Sequence, residues 1–266
     1  MSVGGNVHIT SAEFLSRIAY SELIMSRISQ NLQAVHAAML QAAQSAARDP
    51  DSVRLLAVSK TFDMAAVLDA VRAGQAAFGE NYLQEALDKM AAVAVALQPE
   101  QLQLPEWHFI GPIQSNKTRP IAEHFDWVHT VEREKIASRL SEQRPPHLAP
   151  LNICLQVNIS GESSKSGVAP ADVAALAHAV AGMPRLRLRG LMAIPEPVAD
   201  FDAQCLSFRR LRQLLEDLNA QGCALDTLSM GMSADMTAAI AEGATIVRVG
   251  SAIFGQRNQL KHGEAA

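Results

Sequence analysis

Short apolar runs alternate with longer stretches of helical spacing along nearly the whole chain, and this rhythm leaves few folds open. The apolar runs fall at Val53–Lys60, Ala76–Asn81, Trp107–Gly111, Trp127–Val131, Asn152–Ile159, Leu186–Ile194, Thr227–Met230 and Thr245–Val249. Helical stretches lie between them at Asp63–Ala73, Tyr82–Leu97, Gln114–His124, Glu132–Gln143, Ala171–Ala181, Phe201–Ala220 and Ala234–Ala241. Gly74, Pro145-Pro146, Gly182, Gly222 and Gly243 stop several of them. Strands alternating with helices predict a parallel sheet whose faces are covered by the helices. Roughly eight such units in 266 residues suit a (β/α)8 TIM barrel, an α/β single domain. An open doubly wound sheet is the alternative, but no Gly-x-Gly-x-x-Gly follows the first run, which removes its dinucleotide-binding form.

The last strand is followed only by residues 251–266, too few for a full closing helix. A long N-terminal helix is predicted from Ser11 to about Arg48, apolar at Phe14, Ile18, Leu23, Ile28, Leu32, Val35 and Met39. It is placed to pack near that gap. The chain therefore divides into a mobile start (1–10), a barrel domain (11–257) and a short tail (258–266).

Bulk properties narrow the function. Net charge is −4, with 19% charged residues and no basic stripe, so nothing marks a nucleic-acid partner. No apolar run is long enough to span a bilayer, and Met1–Thr10 lacks the form of a signal peptide. Cys154, Cys205 and Cys223 are odd in number and far apart, and the eight histidines lack metal-ligand spacing. The expectation is a soluble cytoplasmic protein without metal or disulfide framework.

In a barrel, the chemistry collects where strands end at the C-terminal mouth. The first run ends on Lys60, and burial disfavours an ammonium. Lys60 is therefore a candidate nucleophile for carbonyl chemistry, above all a Schiff base with pyridoxal phosphate. The plain alternative is a lysine that snorkels into water. Arg248 sits inside the last strand, where it meets either an ion-pair partner or the ring nitrogen of such a cofactor. An arginine there would leave that nitrogen unprotonated and the ring a weaker electron sink. Asn81 either bonds the 3-hydroxyl side of the ring or caps the helix beginning at Tyr82. Gly250-Ser251 and Ser229–Ser233 follow the last two strands, where barrels often hold phosphate. Ser233, taken on its own, reads as an N-cap of the helix starting near Ala234. Lys89 and Lys135 lie on predicted helices and are expected in solvent. The loop Ser163-Ser164-Lys165-Ser166-Gly167 borders the mouth but lacks the rest of a P-loop.

The segments LLAVSKT (55–61), FGENYLQEA (78–86), WHFIGPIQSNK (107–117), VNISGESSKSG (157–167), LRGLMAI (188–194), LSMGMSADM (228–236) and VRVGSAIFG (247–255) together resemble the pyridoxal phosphate homeostasis protein family. The likeness runs from about residue 20 to 257. It implies a single-domain barrel related to the barrel half of alanine racemase, holding pyridoxal 5'-phosphate as an internal aldimine without established catalysis. Position by position, it implies the Schiff-base lysine at Lys60 and the ring-nitrogen arginine at Arg248. The ring-contacting asparagine falls on Asn81, and the phosphate contacts on Ser229, Met230 (through its backbone), Gly250 and Ser251. Residues 1–19 have no counterpart in it.

A carrier of the cofactor and a fold-type III amino-acid racemase are the two functional classes this leaves. A racemase of that architecture needs a second base, which the family supplies as a tyrosine from an extra β domain. The tyrosines here are Tyr20, in the first helix, and Tyr82. The sequence therefore favours a non-enzymatic, monomeric pyridoxal phosphate protein, with pyridoxal phosphate-dependent apoenzymes as possible recipients. A barrel that holds another phosphorylated metabolite non-covalently is the third reading.

Overall fold

The computed structural model describes residues 26–161 and 166–256. The expected mobile start, residues 11–25 with Tyr20, Lys165 of the polar loop and the tail lie outside the described residues. Helix α1 (Arg27–Ser45) begins where the Ser26 hydroxyl accepts the Ser29 N–H at 3.2 Å, and it buries Leu32, Val35, Met39, Ala42 and Ala43. Eight units of strand and helix follow. They are β1 (Arg54–Val58), α2 (Met64–Arg72), β2 (Ala77–Glu80), α3 (Leu83–Leu97), β3 (Glu106–Phe109), α4 (Thr118–His124), β4 (Trp127–Val131) and α5 (Glu134–Gln143). Then come β5 (Leu151–Gln156), α6 (Val173–Ala181), β6 (Leu186–Met192), α7 (Phe201–Ala220), β7 (Thr227–Ser229), α8 (Met236–Ala241), β8 (Ile246–Val249) and the four-residue α9 (Ser251–Phe254).

All eight strands are parallel, in chain order, and β8 pairs with β1 from Arg54↔Ile246 to Ala57↔Val249. That closure excludes the open sheet and gives the TIM barrel. Helix α1 packs beside α2, α8 and α9. Asn31 Nδ2 donates to the Ile253 carbonyl at 2.7 Å, and Arg48 Nη1 to those of Ile240 and Ala244 at 2.7 and 2.9 Å. The N-terminal helix thus lies beside the last unit, as its position predicted, but it does not run unbroken from Ser11 to Arg48: the non-helical Ser26 caps it, so it starts at Arg27 and ends at Ser45. No described helix is long and apolar enough to cross a membrane.

Strand side chains alternate between the barrel interior and the helices. On β1, Leu55 and Ala57 join the large apolar layer under the helices. Leu56 instead packs inside with Ala77, Ile246 and Ile110, while Trp127, Cys154 and Met192 form a second inner cluster. Two glycines let backbones meet. A Cβ on Gly190 would overlap the Thr227 carbonyl across β6 and β7, and one on Gly111 would overlap the Asn81 carbonyl beneath the mouth.

Several elements are shorter than their sequence patterns. β1 ends at Val58 and not at Lys60, because the chain turns: Ser59 N–H still bonds the Gly79 carbonyl, but Phe62 N–H already bonds back to Ser59. Helix α8 starts at Met236 and not at Ala234, because residues 233–235 form a turn in which Asp235 Oδ1 accepts the Met232 N–H at 2.6 Å.

Candidate functional site

A cavity of about 360 Å³ opens at the C-terminal ends of the strands. Lys60 after β1, Asn81 after β2, Arg248 in β8 and Gly250-Ser251 after it all line it, with Ile110, Met192, Met232, Ser233 and Ala234. Its volume lies in the usual range of small-molecule sites. A larger recess of about 710 Å³ opens at the opposite end, beside Arg54 and Glu106 at the starts of β1 and β3. The smaller cavity carries the converging lysine, arginine and amide, so it is the candidate site.

Lys60 is presented by a strained turn. Thr61 has φ 67°, a left-handed conformation that a β-branched residue seldom adopts. Its N–H donates to Glu85 Oε1 at 2.6 Å. Lys89 Nζ then ties the turn to the barrel wall, donating to the Ser59 carbonyl (2.8 Å), Glu80 Oε1 (2.7 Å) and Glu85 Oε1 (3.0 Å). Ser59 Oγ donates to the same Glu80 oxygen at 2.7 Å. Lys89 is therefore buried, contrary to the solvated helix lysine expected of it. The reason is Glu80, whose position on β2 alternates outward under α3 and draws the ammonium in. Burial raises the Glu80 carboxyl above its usual range, against the pull of Lys89.

Asn81 does not cap α3. The cap position is Tyr82, without a side-chain cap bond, and Asn81 Oδ1 is buried with no hydrogen-bond partner. A buried carbonyl oxygen left unpaired beside a cavity is costly unless a ligand donor meets it. Tyr82 is 52% exposed and stays outside the lining. Ser233 caps no helix either, since α8 starts beyond it with Asp235 at the cap position.

Arg248 is buried, with Nη1 on Ser229 Oγ (2.8 Å) and Nη2 on the Ala193 carbonyl (3.0 Å). Burial lowers its pKa to about 10, which leaves it a cation at neutral pH. The ion-pair alternative finds no carboxylate in contact with it among the described salt bridges. Ser229 and Met230 are fully buried and lie behind the lining, with the Ser229 hydroxyl engaged by Arg248 and by His129 Nδ1 at 2.8 Å. Gly250 and Ser251 reach the cavity. A Cβ on Gly250 would come to 3.1 Å from the Val58 carbonyl, so small size keeps β8 and β1 close at the mouth.

Sequence reasoning missed the polar interior. Glu106, His108 and His129 occupy inward positions of β3 and β4 and bond in series, His108 to Glu106 at 2.7 Å and to His129 at 2.8 Å. The spacing Glu106-x-His108 on a strand, with His129 on the neighbouring strand, was the available signal. His108 also stacks on Trp127, centroids 5.4 Å apart. No group of three or more His, Cys, Asp or Glu is placed to hold a metal among the described residues.

Residues 30–258 match the family model described as alanine racemase, N-terminal domain. The pyridoxal phosphate homeostasis protein of Pseudomonas aeruginosa is 63% identical over 235 residues, covering 88% of this chain and 97% of that protein. The pyridoxal phosphate homeostasis protein of Escherichia coli K12 is 50% identical over 237 residues, covering 89% and 100%. Among solved structures, PipY of Synechococcus elongatus, with pyridoxal phosphate bound, is 36% identical with a TM-score of 0.73. That match covers 86% of this chain and 100% of PipY.

Proposed function

The chain belongs to the pyridoxal phosphate homeostasis protein family, and from that premise we propose that it binds pyridoxal 5'-phosphate at the barrel mouth, through a Schiff base with Lys60, and serves intracellular homeostasis of the cofactor. One observation carries the reading: Lys60, Arg248 and the unpartnered Asn81 oxygen all come to one cavity. The cofactor supplies an aldehyde and an electron-withdrawing ring when bound. The residues fit it. Lys60 brings the amine. Asn81 Oδ1 is a buried acceptor that lacks a donor, suited to the ring hydroxyl. Gly250 and Ser251, with the 232–234 turn, offer small residues, N–H groups and a hydroxyl to the phosphate. Ser229 and Met230 stand behind the lining, with the Ser229 hydroxyl taken up by Arg248 and His129.

Arg248 is assigned to the ring nitrogen. A guanidinium only donates, so it holds the nitrogen unprotonated and leaves the ring a poor carbanion sink. Tyr82, the tyrosine among the described residues, is exposed and outside the cavity. Both features favour holding the cofactor over turning over amino acids. We therefore read the protein as a cytoplasmic, monomeric carrier without catalytic turnover, built as one barrel domain over residues 11–257, whose recipients are pyridoxal phosphate-dependent apoenzymes.

The deciding experiment is a visible absorption spectrum before and after borohydride, with the reduced adduct mapped by mass spectrometry. A band that disappears on reduction, with the adduct on Lys60, is the expected result. No band after addition of pyridoxal phosphate would return the non-covalent phosphate-binding barrel to first place.

A further inference from the structure

Arg248 is one end of a continuous line of hydrogen bonds through the barrel. Its Nη1 meets Ser229 Oγ at 2.8 Å, and His129 Nδ1 meets the same oxygen at 2.8 Å. His129 Nε2 lies 2.8 Å from His108 Nδ1, and His108 Nε2 lies 2.7 Å from Glu106 Oε1. Arg54 Nη2 closes the line at the barrel floor, 2.8 Å from the same Glu106 oxygen. Ser229, His108, His129 and Arg248 are buried, while Glu106 and Arg54 border the recess at the far end. Alternation on β3, β4, β7 and β8 aims these side chains at one another across the interior.

The line has one consistent direction. Burial raises the Glu106 carboxyl, but the bond from His108 and the charge and bond of Arg54 outweigh it and hold the group below the ordinary carboxylate range, so it is ionised and only accepts. His108 Nε2 therefore carries the hydrogen. Burial favours neutral imidazole at both histidines, most at His129, where the charge of Arg248 adds to it. A neutral His108 presents a lone pair at Nδ1, so His129 donates from Nε2 and presents its own lone pair at Nδ1. The Ser229 hydroxyl donates there and turns a lone pair to Arg248. With either ring in the other tautomer, two hydrogens or two lone pairs would face each other across less than 3 Å.

We propose that Ser229, His129, His108 and Glu106 are positioning residues for Arg248, a one-way hydrogen-bond chain that takes up the Ser229 hydrogen, turns its lone pair to Arg248 and so holds the guanidinium in place at the cavity. This rests on the preceding assignment of Arg248 to the cofactor's ring nitrogen and deepens it. The Arg248 guanidinium has two anchors described, the Ser229 hydroxyl and the Ala193 backbone carbonyl, and the carbonyl has no rotor to set. The Ser229 hydroxyl does: Arg248 can only donate to it, and the His129 lone pair gives its own hydrogen a place on the far side.

The test uses the full-length protein titrated with pyridoxal phosphate and followed by absorption. His129→Leu removes the acceptor that orients Ser229. It is expected to weaken binding about tenfold, the effect of losing one hydrogen bond to a charged partner, and to displace the visible band. Glu106→Gln, at the opposite end of the barrel, is expected to displace the band in the same direction by less. A role limited to packing would leave the band of the second variant in place. Nitrogen-15 NMR of the unsubstituted protein reads the chain without any substitution: both rings should be neutral with hydrogen on Nε2.

An imidazolium, or an Nδ1–H ring at either position, overturns the chain's direction. Wild-type spectra in both variants, each with native circular dichroism, overturn the positioning role while leaving the cofactor reading intact. Absence of any cofactor band in the unsubstituted protein overturns that reading itself, and the chain's role with it.

Discussion

Lys89 Nζ lies 2.7 Å from Glu80 Oε1, both side chains almost fully out of solvent, and the same ammonium holds the carbonyl of Ser59 at 2.8 Å. A lysine on α3 thus fixes the residue before Lys60. The left-handed Thr61 persists because this clamp over-determines the turn. Glu80 Oε2 has no partner of its own, so the ammonium, with the Ser59 hydroxyl on the same Oε1, keeps the buried carboxyl tolerable.

Lys89→Met should therefore cost about 3–5 kcal/mol in urea unfolding, the range for stranding a buried charge. A double variant that also carries Glu80→Leu should recover much of that loss. Equal stability of the single variant and the parent protein would mean that the pair does not secure the turn.

Lys60 stands two residues beyond β1 and supports no strand pairing. Lys60→Ala is expected to abolish the borohydride-trapped adduct while far-ultraviolet circular dichroism and the melting temperature stay near those of the parent. An unfolded variant would make Lys60 a structural residue and not a site residue.

Acid should weaken the fold earlier than carboxylates alone would predict. His129 is held well below, and His108 below, the ordinary 6.5, while the unfolded chain titrates near that value. Folded-state values that are depressed mean that the unfolded chain binds more protons below about pH 6.5. Stability is then present above that pH and falls as the pH drops, by up to about 1.4 kcal/mol per unit for each ring. Glu106 extends the loss as pH falls from 4.5 toward about 2. Urea unfolding from about pH 7.5 to 5 measures the slope, and His129→Gln should make it shallower; a flat profile in the parent protein would contradict neutral buried histidines.

Gly111→Ala should disturb the site from below. The new methyl group would overlap the Asn81 backbone, and the strand ends at the mouth leave it no room. A destabilisation of about 1–3 kcal/mol is the usual result of such overpacking, accompanied by weaker cofactor binding as Asn81 moves. Undiminished binding would show that the Asn81 oxygen does not meet the ligand.

By itself the sequence determined the barrel and the mouth. Alternating apolar runs and helical stretches set strand number and parallel order, because each element must cover its neighbour's apolar face. Lys60, Asn81, Arg248, Gly250 and Ser251 stood out because polar or small residues ended apolar strands, and the structure brings these five to one cavity. Ser229 was read from the same pattern and Met230 from the family resemblance, but whether a residue lines the cavity or stands behind it depends on the direction of its side chain in the closed barrel.

Only the tertiary structure decided the partners of the buried charges. Lys89 reads as a surface lysine on α3 until β2 turns Glu80 toward it. His108 and His129 look scattered until closure brings β3, β4, β7 and β8 around one interior, placing His129 2.8 Å from a serine 100 positions away. Local pattern is set by neighbours along the chain, which a sequence displays. Desolvated polar groups take partners across the barrel, and those appear only when the sheet has closed.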